Sequence, residues 1–125
     1  MQIPLQPLVL VYLAFAAKQL LADFFLQSSW MAFGKKAQVR WLAPLLAHAA
    51  VHALGTFLIA LAVSPALWWL GLVDFAVHAG IDRLKAVLSR GLEMTKGPFW
   101  WAFGLDQSAH QLTHFAFVLC LVPRV

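Results

Sequence analysis

The chain has 125 residues, of which 62% are hydrophobic and 11% charged, with a net charge of +4. A water-soluble domain averages about 45–50% apolar and roughly 25% charged residues, so this chain has too few charges to cover a water-facing surface. The expected class is all-α: one integral membrane bundle of about four transmembrane helices.

A span needs about 20 mostly apolar residues to cross ~30 Å of hydrocarbon. The first is expected over residues 4–27, with Pro4 and Pro7 tolerated in its opening turns. This segment has no positively charged start and no A-x-A cleavage site, so it is expected to be a retained span rather than a signal peptide. A polar connection with Ser28, Ser29, Gly34, Lys35, Lys36 and Arg40 leads to a second span, 41–63. Ser64-Pro65 makes a tight turn, and a third span covers 66–85. Between Trp41 and Ile81 the only formally charged residue is Asp74. Residues 86–98 form a basic connection, and the fourth span fills 99–122.

Seven basic residues (Lys35, Lys36, Arg40, Arg83, Lys85, Arg90 and Lys96) crowd the two longer connections, against Arg124 on the opposite face. The positive-inside rule then places both connections in the cytoplasm and both termini outside. Trp30, Trp41, Trp100 and Trp101 fall near the inner interface and Trp68 and Trp69 near the outer, where amphipathic indoles anchor. Basic charge of this kind reports orientation and attraction to anionic lipid; no aromatic-interleaved basic stripe points to nucleic acid. The single cysteine, Cys120, provides neither a disulfide framework nor a paired-thiol redox motif.

All five histidines and four of the five acids fall within or at the edge of spans. Asp23 is flanked by Gln19 and Gln27, each four residues away. His48 and His52 are four apart, as are Asp74, His78 and Asp82, and Asp106, His110 and His114. Residues four apart share a helix face, so each helix carries one polar stripe. At ~1.5 Å per residue, Asp23, His48, His78 and Asp106 lie roughly 6–11 Å from the cytoplasmic ends, with Asp82 slightly shallower. Gln19, His52, Asp74 and His110 lie about one turn deeper.

An Asp at the centre of a span costs about 2.5–3.5 kcal/mol on insertion scales. A divalent cation removes that cost by neutralising carboxylates and capping imidazoles. His and Asp together suit a transition metal such as Zn, Mn or Fe, and the number of donors allows one or two ions. The preferred ligands are Asp23, His48, His78, Asp82, Asp106 and His110, with His52 added and His114 a weaker candidate one turn deeper. Gln19, Gln27 and Gln107 can orient the carboxylates. Lys85 shares a face with His78 and Asp82 near the aqueous rim, where it can hold an anionic head group or simply snorkel. Lys18, inside the first span, can snorkel or pair with a buried acid. A hydrogen-bonded His/Asp proton path is a metal-free alternative. A bis-histidine haem site explains the histidines but leaves Asp23, Asp82 and Asp106 without a role.

The segments LADFFLQ (21–27), WMA (30–32) with the lysine pair after it, LAHAAVH (46–52), HAGIDRLK (78–85) and DQSAH (106–110) resemble, in that order, a family of small bacterial inner-membrane proteins. It is the domain-of-unknown-function 3307 family, and the resemblance covers nearly the whole chain. It implies a multi-pass location in the bacterial inner membrane. In that family a histidine commonly stands four residues before the first Asp, where this chain has Gln19; the site would then be one nitrogen poorer. The family brings no assigned activity.

Two functions from different classes fit these residues. One is a metal-dependent hydrolase of a phosphoester or lipid-linked substrate at the cytoplasmic membrane face. The other is non-enzymatic: a metal or proton conduit, or a metal-stabilised membrane subunit. A conduit needs polar residues reaching both surfaces, whereas FLIALAV (57–63) and FVLCLV (117–122) leave the outer third apolar. Membrane lipids are the expected partners, and Gly55, Gly71, Gly80 and Gly104 would suit close helix packing or a homo-oligomer.

Overall fold

A computed structural model describes residues Met1–Val125 and contains helices and no strands. Helix α1, Leu5–Leu20, continues through a π-helical turn at Leu21–Phe25. A short helix α2, Ser29–Gly34, follows, its first turn capped by Ser28, whose Oγ accepts the Met31 N–H at 3.3 Å. Helices α3 (Leu42–Val63), α4 (Leu70–Leu88) and α5 (Gly97–Leu121) complete the chain.

The departures from the expected spans have local causes. Residues 29–34, expected as a connection, form α2 because Ser28 supplies a cap ahead of an apolar turn. The third span does not start at residue 66: Pro65–Leu67 make a tight 3-10 turn, and α4 opens only at Leu70. Helix α5 begins two residues earlier than expected because Pro98, in its first turn, has no N–H that the helix would need.

Two segments, Leu5–Phe25 and Leu42–Val63, are long and apolar enough to cross a membrane. Helices α4 and α5, of 19 and 25 residues, have the length but carry more polar groups. Those groups point inward. Of 24 buried residues, ten are polar or charged, while Leu13, Leu58, Leu72 and Leu112 stand exposed on α1, α3, α4 and α5 in turn. Lys and Asp are almost never fully buried unless paired, so these inward groups need partners.

The start of α1, the turn between α3 and α4 and the end of α5 lie together at one end of the bundle. There Val11, Phe15, Ala60, Leu70, Phe117, Val118, Leu121 and Val122 pack into one apolar cluster. The termini pair across it, Gln2 N–H to Val125 O at 2.7 Å and Val125 N–H to Gln2 O at 3.0 Å. Away from this plug each stripe turns polar: Ala60, Thr56, His52 and His48 on α3, and Leu70, Asp74, His78 and Asp82 on α4. On α5 the order is Val118, His114, His110 and Asp106. The opposite end carries α2 and the basic connections. Arg83 ties them down, donating to Ala37 O at 3.1 Å and stacking 3.8 Å from the Trp41 ring centroid.

Candidate metal centre

The π turn decides where Asp23 points. The Leu26 N–H bonds to Leu21 O, five residues back, at 2.7 Å, and the extra residue rotates the following side chains. Val11, Phe15, Lys18 and Ala22 follow the α-helical inward stripe; the wider turn brings Asp23 toward the interior beside them. Gln19, in the last turn of α1 ahead of the π turn, donates its side-chain amide to Asp23 Oδ2.

Asp23 Oδ1 lies 2.8 Å from His52 Nε2 and 3.3 Å from His48 Nε2. Asp82 is the second focus. Its Oδ1 is 3.0 Å from His110 Nε2, and its Oδ2 is 3.6 Å from His48 Nε2 and 3.8 Å from His78 Nε2. The rings crowd together, with centroids 3.7 Å apart for His52 and His78 and 4.2 Å apart for His78 and His110. Two groups of donors result, Asp23/His48/His52/His78 and His78/Asp82/His110, each with ligand atoms within 4.8 Å of one another. Since they share His78, they form one continuous cluster.

The donor set fits a transition metal. Ligands at about 2.0–2.1 Å around a tetrahedral ion sit about 3.3 Å from each other, the range of the Asp–His separations here. Both ring nitrogens of His48, and Nδ1 of His52 and His78, are buried without a hydrogen-bond partner, although buried polar atoms are normally paired. His48 Nε2 lies between carboxylate oxygens of Asp23 and Asp82, at 3.3 and 3.6 Å, where a cation bound among the three would satisfy it.

Asp106, expected as a ligand, stands at the edge of this cluster. Its Oδ1 is 3.3 Å from His110 Nε2 and has no hydrogen bond, while Oδ2 accepts from Gln107 Nε2 at 3.1 Å and lies 3.4 Å from Lys85 Nζ. Gln27, expected to orient a carboxylate, donates instead to the Asp23 backbone carbonyl at 2.9 Å. His114 lies away from the cluster, in a second buried group. There Lys18 Nζ is 2.6 Å from Asp74 Oδ2, 2.9 Å from His114 Nε2 and 3.0 Å from Thr56 Oγ1, which donates to Asp74 at 2.5 Å. Lys18 therefore pairs with a buried acid and does not snorkel.

A cavity of about 250 Å³ opens over the cluster, with Asp23, Asp82, Asp106 and His110 on its floor and Lys35, Lys36 and Lys85 around its rim. Lys35 Nζ reaches Asp82 Oδ2 at 2.9 Å. Lys36 is in no ion pair; withdrawal of its amine from water, then the neighbouring amines of Lys85 and Lys35, lower its pKa below the usual lysine value. The sequence marked Lys35 and Lys36 as signals of topology and attraction to anionic lipid, not as partners of the cluster; Lys35's partner Asp82 lies 47 residues away. Thr56 was within reach of sequence reasoning, being four residues beyond His52 on the same stripe.

A family-wide sequence profile, described as "Protein of unknown function (DUF3307)", matches residues 9–124. The chain belongs to the DUF3307 family. No curated protein and no solved structure matches it. The DUF3307 match spans every donor of the cluster, the Lys18–Asp74 group and the three rim lysines, so all of this chemistry lies within the family's own domain.

Proposed function

We propose that the protein is a metal-dependent hydrolase acting on a phosphoester or lipid-linked substrate at the cytoplasmic face of a bacterial inner membrane, which it crosses four times. The juxtaposition that carries this reading is the cavity itself: metal-type donors on the floor, three lysines on the rim. Apolar exposed faces on α4 and α5 as well as on α1 and α3 support four spans, because lipid is the solvent such faces match. Both termini meet at the apolar end, and the basic connections meet at the other, which the positive-inside rule puts in the cytoplasm.

Asp23, His48, His52, His78, Asp82 and His110 would hold one or two ions of Zn, Mn or Fe type. Such an ion acts as a Lewis acid and lowers the pKa of a coordinated water. The chain's own groups do the rest. Lys35, Lys36 and Lys85 draw in and hold an anionic oxygen, Asp106 stands at the edge of the floor within reach of a proton, and Gln107 orients its carboxylate. The apolar plug excludes water from behind.

A conduit finds support in the Lys18–Asp74–Thr56–His114 group, which prolongs the polar interior, but Val11, Phe15, Val118 and Leu121 close the path beyond it. Haem does not suit the cluster: His78 lies between His52 and His110, with ring centroids 3.7 and 4.2 Å away, and His114 Nε2 is already 2.9 Å from Lys18 Nζ. The test is phosphate release from a soluble aryl phosphate by detergent-purified protein loaded with Zn, Mn or Fe. Metal-dependent turnover that disappears in Asp82→Asn is expected; no turnover with any of the three metals would leave a metal-stabilised subunit.

A further inference from the structure

The walls of the cavity are chemically divided. Lys35, Lys36 and Lys85 supply amines, but Phe24 and Phe103 also line it, 75% and 41% exposed on the outer surfaces of the π turn and of α5. The two halves adjoin: Lys85 Nζ lies 5.2 Å from the Phe103 ring centroid. A soluble phosphate would use the amines and leave the aromatic flank without a role. An anion attached to an alkyl chain uses both.

The level of the opening agrees. Helix α2 exposes Trp30 and Phe33, while Lys35, one residue past its end, turns inward to Asp82. A short segment with aromatic residues outside and lysines alongside is built for the membrane–water interface, where headgroups lie. The π turn serves the same geometry, sending Asp23 toward the floor and leaving Phe24 and Phe25 exposed. Size adds a constraint. At about 250 Å³ the cavity is smaller than the roughly 300–1,000 Å³ that encloses a drug-sized ligand, so it takes a headgroup and leaves the chain outside.

We infer that the cavity binds the phosphate headgroup of a membrane lipid, which enters sideways from the cytoplasmic leaflet past Phe24 and Phe103. Lys36, the rim amine without a carboxylate partner, meets the phosphate first. Lys35 and Lys85 exchange contacts with Asp82 and Asp106 for contacts with its oxygens. Only the fate of the bound phosphate rests on the hydrolase reading. In that case water oxygen forms a new bond to phosphorus, the ester P–O bond breaks, its electron pair and a proton go to the lipid alcohol, and inorganic phosphate leaves.

The experiment uses the full chain, loaded with Mn or Zn, in phosphatidylcholine micelles. Its probes are phosphatidic acid in the micelle, and glycerol 3-phosphate and inorganic phosphate in solution. Two quantities are read, phosphate released and phosphatidic acid retained on the protein by native mass spectrometry. Retention of phosphatidic acid over phosphatidylcholine by about tenfold or more is expected from three lysines facing an anionic headgroup, falling several-fold in Lys36→Met and in Phe24→Ser with Phe103→Ser, while both variants keep their metal. Hydrolysis or binding of the soluble esters with no preference for phosphatidic acid would overturn the lipid assignment and leave a hydrolase of soluble substrates. Retention of phosphatidic acid without release of phosphate from any probe would uphold the lipid site and remove the hydrolase. Neither retention nor release would overturn both.

Discussion

Lys18 on α1 and Asp74 on α4 form an ion pair of 2.6 Å with almost no exposure of either side chain, between the His cluster and the apolar plug. Thr56 and His114 complete its hydrogen bonding. Breaking a buried pair leaves an uncompensated charge, which costs about 3–5 kcal/mol, whereas replacing both members by apolar residues is often neutral. Lys18→Met and Asp74→Asn should each destabilise the protein by that order in detergent unfolding curves. Lys18→Met combined with Asp74→Leu should recover most of the loss. Single variants as stable as the wild type would show that the pair holds nothing together.

Gly55 bears on the same pair. A Cβ at Gly55 would lie 2.6 Å from Lys18 Cγ, whereas one at Gly80 would meet nothing within 4 Å. Gly55→Ala must push the Lys18 stem aside, so it should lower the unfolding midpoint by several degrees, against no measurable loss for Gly80→Ala. Equal effects would mean that the Lys18 stem gives way freely.

Much of the centre is visible in the sequence because its spacing is helical. His48 and His52, the Asp74–His78–Asp82 run and the Asp106–His110–His114 run each mark one face, and the structure turns all three faces inward. Lys18 escapes this reading because its partners come from three other helices, 38 to 96 residues away. Asp23 is legible from its four-residue spacing to Gln19, which donates to it, whereas the π turn at Leu21–Phe25 leaves no mark in residue spacing. His114, one turn deeper than the ligands by its spacing, joins Asp74 in the Lys18 group beyond the cluster. The inward turn of Lys35 comes from the placement of α2, a helix hidden in a segment that reads as loop.

His78 belongs to both groups of donors. His78→Ala should therefore weaken metal binding more than His48→Ala, measured by competition with a chelator. Gln107→Ala removes only a hydrogen bond to Asp106, which lies outside both donor groups, and should leave metal affinity close to that of the wild type. If His78→Ala bound metal like the wild type, the two groups would not be one cluster.

The lowered pKa of Lys36 sets the pH dependence of anion binding. The amine attracts phosphate only when protonated, and a depressed pKa means that its charge is lost at lower pH than for an ordinary lysine. Phosphate affinity should weaken as pH rises, beginning below the usual lysine range, and Lys36→Arg should hold it into more alkaline solution because a guanidinium stays charged. Titrations of phosphate binding against pH for the two proteins make the comparison; superimposable curves would remove Lys36 from the anion site.

Elemental analysis of detergent-purified protein beside Asp23→Ala/His78→Ala/Asp82→Ala bears most directly on the metal centre. One or two equivalents of a transition metal in the wild type, absent from a variant that still elutes as a folded bundle, is the predicted result. A wild-type protein that takes up no Zn, Mn or Fe even after soaking with their salts would contradict it.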